Sequence, residues 1–155
     1  MDIFHSWDLD AALSNLITLG VAYLLALPIG WNREREERSA GLRTFPLVAI
    51  ASCGFVMVAL DVIGPNSGEH SRILEGLMTG IGFIGGGAIL KQGDQARGTA
   101  TAASLWATGA IGAAVGYGQL DIAVILSLVT VLTLILLTPL RRVVQDRGEF
   151  DREES

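Results

Sequence analysis

Two carboxylates, Asp61 and Glu75, flank a short turn-rich segment running from Gly64 to Ser71, with Arg72 between them in sequence. An acid pair of this kind could bind a divalent cation or carry a proton. Magnesium prefers carboxylate oxygens and keeps several waters, so a shallow wet site suits it. The alternative is two unrelated interfacial acids, one of them paired to Arg72. A second charged group comprises Glu34, Arg43, Asp94 and Arg97, each beside the end of an apolar run. The helix dipole opposes a cation at a helix N-terminus by roughly 0.3 to 1 kcal/mol. Arg43 and Arg97 therefore need an acidic partner or an anionic headgroup, with Glu34 first and Asp94 second among the acids of the chain. The expected role of this group is to lock the loops of one membrane face together and present a docking surface; the alternative is a solvated loop. Hydroxyls form a third set. Thr101, Ser104 and Thr108 recur at helical spacing, and either bond back to carbonyls of their own helix or make a polar seam toward a neighbour.

Enzymatic chemistry is not expected. The chain has no His/Cys metal spacing, no phosphate-cradling glycine loop followed by Lys and Ser or Thr, and no serine-histidine-acid set in a shared apolar site. Its one cysteine, Cys53, lies inside an apolar run and reads as a small hydrophobe. No cofactor is expected apart from magnesium at Asp61 and Glu75, and no nucleic-acid partner.

The elements that must position these residues are apolar runs of near-spanning length: Leu13 to Trp31, Phe45 to Ile63, Leu74 to Leu90, Thr99 to Gly116 and Leu120 to Leu137. Half of the 155 residues are hydrophobic, and the charged residues collect between the runs. The expected fold is all-α: a polytopic membrane protein built as a five-transmembrane-helix bundle over residues 1–140, followed by a short charged tail, 141–155. The third run carries six glycines between Gly76 and Gly87. In water each would weaken a helix by about 1 kcal/mol relative to alanine. In a bilayer the backbone must be helical, and small residues let neighbouring helices approach. At 100° per residue this run divides into a bulky stripe (Leu74, Leu77, Ile81, Ile84, Ala88) and two shaved sectors, one of Gly76, Gly80 and Gly87, the other of Glu75, Thr79, Gly82 and Gly86. The pattern predicts one lipid face and two packed faces, with a helix broken at Gly85 to Gly87 as the alternative. The fifth run has no interior glycine and is expected at the lipid boundary until Pro139 and Arg141 end it.

Orientation follows from lysine and arginine near the run ends. Arg33, Arg35, Arg38, Arg43, Lys91, Arg97, Arg141, Arg142, Arg147 and Arg152 fall on one side and Arg72 on the other. This predicts an inner-membrane protein with its N-terminus outside and its C-terminus in the cytoplasm. Met1 to Asp10 holds three aspartates and no lysine or arginine, which does not read as a cleavable signal peptide.

Four linked motifs carry a family resemblance: Gly30 followed after ten residues by Gly41-Leu42-Arg43-Thr44, Ser71-Arg72-Ile73, the stretch GIGFIGGGAIL from Gly80 to Leu90, and Arg97-Gly98 leading to TAASLW, which ends at Trp106. In order and spacing they resemble the membrane domain of the MgtC/SapB family across most of the chain. The sequence departs from the usual pattern at Asn32, Gly76, Thr99, Ala100 and Ala107, so a mechanism needing an acid at position 32 or a polar group at position 100 is not carried over. The soluble C-terminal domain of some relatives is not matched. The resemblance implies a regulatory or stress-adaptation factor linked to magnesium limitation, a homo-oligomeric state, and action on other membrane machines such as ATP synthase. A magnesium or other solute transporter and a structural membrane oligomer are the alternatives.

Overall fold

A computed structural model describes residues 8–36, 40–92 and 95–153, with the backbone alone at 92, 95 and 138–153. Five helices follow one another: α1 (Leu9–Arg35), α2 (Thr44–Ile63), α3 (His70–Gly87), α4 (Thr99–Gly116) and α5 (Leu120–Glu153). Between α3 and α4 lies an antiparallel hairpin of β1 (Leu90–Gln92) and β2 (Gln95–Arg97), in which Leu90 pairs with Arg97. Three helices, α1, α2 and the Leu120–Leu137 part of α5, are long and apolar enough to cross a membrane. The protein is an all-helical membrane protein apart from the hairpin.

Local chemistry explains the boundaries. Asp8 caps α1 by accepting the Asp10 N–H at 3.0 Å. Pro46 sits in the first turn of α2, where a missing N–H leaves no helical bond unmade. At the other end of that helix Gly64 takes φ +77° and its N–H bonds the Leu60 carbonyl. Expected at Leu74 to Leu90, the third helix instead spans His70 to Gly87. Its last turn tightens, with the Ala88 and Ile89 N–H groups on the Gly85 and Gly86 carbonyls at 3.0 and 3.1 Å, and the chain leaves the helix where three glycines no longer favour it. Gly98 then starts α4 with φ +91°, close over the Ala88 carbonyl, a site that any side chain would both strain and crowd. The fifth helix continues past Pro139 and Arg141 to Glu153, so neither residue ends it. The tail expected after 140 is a continuation of that helix.

The core is centred on α4. This helix packs on all four of the others, and Leu105, Thr108, Ile111 and Val115 along it are buried. It can be central because its small residues let neighbours come close. Gly109 faces the Ile81 side chain of α3, Gly112 the backbone of Ala49 on α2, and Gly116 lies near Cys53 and Val56 of the same helix. From α1 the core takes Ala22, Ala26 and Ile29, and from α5 it takes Ala123 and Leu134. Ser127 ties α5 to α1 through a 2.7 Å bond to the Leu25 carbonyl.

These contacts reverse the expected faces of the third helix. Leu77, Ile81 and Ala88, read as part of a lipid stripe, pack into the core, and a Cβ added at Gly85 would lie 3.3 Å from the Ala102 carbonyl oxygen. A Cβ added at Gly76, Gly80, Gly82, Gly86 or Gly87 would meet nothing within 4 Å. The physical reason is that α4 supplies the hole and α3 the knob: Gly109 leaves the space that Ile81 fills. The glycine sectors of α3 are left facing outward.

Candidate functional site

The loop joining α1 to α2 is built by two glycines and an acid. Gly30 in α1 comes close to Gly41: a Cβ added at Gly30 would lie 3.3 Å from the Gly41 carbonyl oxygen, tighter than an ordinary contact. Glu34, one turn further on, folds over Gly41 and accepts the Leu42 N–H at 3.0 Å. A side chain at position 41 would strike that carboxylate. Glu34 is thus engaged by the loop backbone, and among the described residues it forms no ion pair with Arg43 or Arg97. Arg43 is exposed at the N-cap of α2, where no side chain caps the helix and no acid occupies the first turn. Asp94 lies outside the described residues.

Nor do Arg43 and Arg97 share a level. Gly112 of α4 meets Ala49 of α2, and Gly116 meets Cys53 and Val56, so the two helices run parallel. Thr99, the first residue of α4, precedes Gly112 by 13 residues while Thr44, the first of α2, precedes Ala49 by five. At 1.5 Å per residue the start of α4, which Arg97 just precedes, therefore stands about 12 Å further along the bundle than the start of α2 at Arg43. The expected four-residue cluster separates into a Glu34–loop latch, an exposed Arg43 with no ion pair among the described residues, and an exposed Arg97 on the hairpin.

Beneath the latch lies a residue that the sequence marked only as a topology signal. Arg33 is buried, 3% exposed, and its Nε and Nη2 donate to Asn32 Oδ1 at 3.2 and 2.6 Å. The amide oxygen of Asn32, one of the departures from the family pattern, is an acceptor for it.

At the opposite end of the bundle Asp61 and Glu75 are both exposed. Arg72 pairs with neither; its partner is Glu69 at 3.3 Å. Among the described residues no group of three His, Cys, Asp or Glu could hold a metal ion. The feature that does organise this end was not marked in the sequence. His70 Nε2 lies 2.7 Å from the Gly64 carbonyl and Nδ1 lies 3.1 Å from the Tyr117 hydroxyl. A carbonyl only accepts, so Nε2 carries the proton, and the tyrosine donates to Nδ1. Burial pushes the Tyr117 hydroxyl above its ordinary value, in keeping with its role as a donor. The two rings meet edge to face at 5.5 Å. This pins the α2–α3 loop to the end of α4.

Thr101, Ser104 and Thr108 all lie on the buried side of α4. Ser104 donates to the carbonyls of Ala100 and Thr101 at 2.7 and 3.0 Å, and Thr108 to that of Ser104 at 2.8 Å. The last two hydroxyls bond within their own helix. The remaining large feature is a groove of about 900 Å³ between α2 and α3, lined almost entirely by apolar side chains and by Gly76 and Gly80.

The sequence model of the MgtC family matches residues 19–143. Protein SrpB of Synechococcus elongatus is 37% identical over 144 residues, covering 85% of this chain and 79% of that protein. The uncharacterized protein slr0014 of Synechocystis sp. is 40% identical over 126 residues, 81% of this chain and 53% of its own length. Protein MgtC of Brucella abortus is 38% identical over 136 residues, again 85% of this chain but 56% of the relative. The chain thus spans about half the length of the last two. No solved structure matches it.

Proposed function

The chain belongs to the MgtC family, and we propose that it is a non-enzymatic regulatory protein of the cell membrane, with five spanning helices, its N-terminus outside and its C-terminus in the cytoplasm. It adapts the cell to magnesium limitation or a related stress by lateral contact with another membrane machine, such as ATP synthase, or with a second copy of itself. The observation that carries this reading is a closed interior beside bare outer faces. Among the described residues every buried side-chain nitrogen and oxygen has a partner. Ser104, Thr108 and Ser127 bond to helix carbonyls, and the buried charge, Arg33, lies in the last turn of α1. A transporter would place ionisable side chains near the middle of the bilayer. By contrast Gly82 and Gly86 form a surface on which a helix from another chain can lie close.

Two measurements test this together. Protein reconstituted in liposomes should give no magnesium flux above empty vesicles, and Gly82→Leu or Gly86→Leu should abolish complementation under magnesium limitation while leaving the protein folded, since neither position is packed within the chain. Magnesium uptake in proportion to protein would overturn the regulatory reading. For magnesium itself we propose a wet, water-mediated contact at Asp61 and Glu75. Thermal stabilisation by magnesium that survives Asp61→Asn combined with Glu75→Gln removes that contact.

A further inference from the structure

The groove between α2 and α3 has two unlike mouths. Its walls are apolar along their length, with Leu47 and Phe55 on one side and Gly80 and Ile84 on the other, and it opens to the exterior of the bundle. Its volume, about 900 Å³, lies within the range of ligand sites. At the α3 mouth, Arg72 is neutralised by Glu69 at 3.3 Å. At the α2 mouth stand Arg43 and Thr44, and among the described residues neither side chain has a hydrogen bond or ion pair. Glu34, the acid of the adjoining loop, is held by the Leu42 N–H. The α2 dipole adds positive potential at the same place. What fits is a molecule that is apolar along its length and anionic at one end.

Length narrows the choice. The twenty residues of α2 rise about 30 Å, the thickness of a hydrocarbon core. A chain from one leaflet, anchored at Arg43, reaches roughly half of that, to the level of Phe55. We propose that the Arg43 half of this groove binds one anionic phospholipid, its phosphate on Arg43 and Thr44 and an acyl chain against Leu47, Phe55 and the bare backbone of Gly80. The site requires that α2 and α3 lie in a membrane, and is independent of any regulatory role.

The full-length protein, extracted in detergent and supplied with equal phosphatidylglycerol and phosphatidylcholine, should retain one phosphatidylglycerol in preference when read by native mass spectrometry. Arg43→Gln should weaken that retention about five-fold, equivalent to about 1 kcal/mol. Gly80→Leu should also displace the lipid, because its side chain enters the groove where a Cβ meets nothing, so the fold survives. Arg97→Gln, a cation outside the groove, should leave retention unchanged. Equal retention of the two lipids, or phosphatidylglycerol held unchanged by both the Arg43 and Gly80 variants, overturns the site. If Gly80→Leu instead dissociates an oligomer with lipid binding intact, the groove holds a helix of a second copy and the lipid proposal falls. Should Arg43→Gln fail to fold, the wild-type preference and Gly80→Leu decide the matter.

Discussion

A methyl group added at Gly112 would land on the Ala49 carbonyl, whereas one added at Gly86 would meet nothing. Backbone cannot step aside as a flexible side chain can, so Gly112→Ala should lower stability by about 1 to 3 kcal/mol. Gly86→Ala should be neutral or stabilising by up to about 1 kcal/mol, because alanine is the better helix former. Thermal melts in detergent that ranked the two the other way would remove α4 from the centre of the packing. The same logic applies at the loop latch. Glu34→Ala leaves the Leu42 N–H without its acceptor and should cost about 0.5 to 1.5 kcal/mol, while Glu34→Gln keeps an oxygen in place and should cost less. Equal melting of the two variants would show that the latch contributes through charge or bulk and not through that bond. At this scale the sequence displayed the glycines but not their partners. Gly80 sits on a small-residue sector of its helix, and periodicity states which residues share a face without stating what the face meets. Ile81 was misassigned for that reason: a bulky residue on a membrane helix suits lipid and a facing glycine equally well.

Among the elements, α3 is the least self-sufficient. It opens with a polar turn, closes on glycines, and packs chiefly against α4. Its start is therefore fixed from outside, by His70 bridging the Gly64 carbonyl and the Tyr117 hydroxyl. His70→Phe and Tyr117→Phe each remove one side of that bridge, and a double-mutant cycle on them should return a coupling of about 0.5 to 3 kcal/mol. Strictly additive effects would mean that the loop is held by other contacts. The bridge joins residues 47 apart, and nothing in a single sequence marks such a pair. The hairpin was hidden for a different reason, since three-residue strands are too short to show an alternating pattern and Leu90 continues the apolar run before it. The apolar runs themselves were legible because burial in lipid demands length and composition over many consecutive residues. The second, fourth and fifth begin within a residue of their helices, at Thr44, Thr99 and Leu120.

For the whole molecule the decisive test is whether α3 and α4 cross the membrane, because among the described residues α1, α2 and the Leu120–Leu137 part of α5 are the helices long and apolar enough to do so alone. If α3 and α4 instead dipped in and returned, α1, α2 and α5 would cross as before and the termini would keep their sides. Labels at Arg35 and Asn66 therefore report the same sides in either arrangement. The hairpin distinguishes them. Gly112 lies against Ala49 although it is 13 residues into α4 and Ala49 only five into α2, so the start of α4 extends beyond the start of α2, by about 12 Å at the helical rise. A dipping pair would have to stop short of that end. The hydroxyls and glycines within α4 are no obstacle, since Thr101, Ser104, Thr108, Gly109 and Gly112 are buried against its neighbours and do not face lipid. If all five helices cross, Arg43 and Trp31, exposed near the ends of α2 and α1, lie at the membrane boundary and the hairpin projects beyond it. Lys91→Cys should then react with a membrane-impermeant thiol reagent in inside-out vesicles and be protected in intact cells, with Cys53 replaced by serine to remove background. Labelling of position 91 from the outside, or from neither side, would reduce the bundle to three spanning helices with a re-entrant pair, and would turn the glycine faces of α3 from a lateral contact surface into the lining of an outward-facing recess.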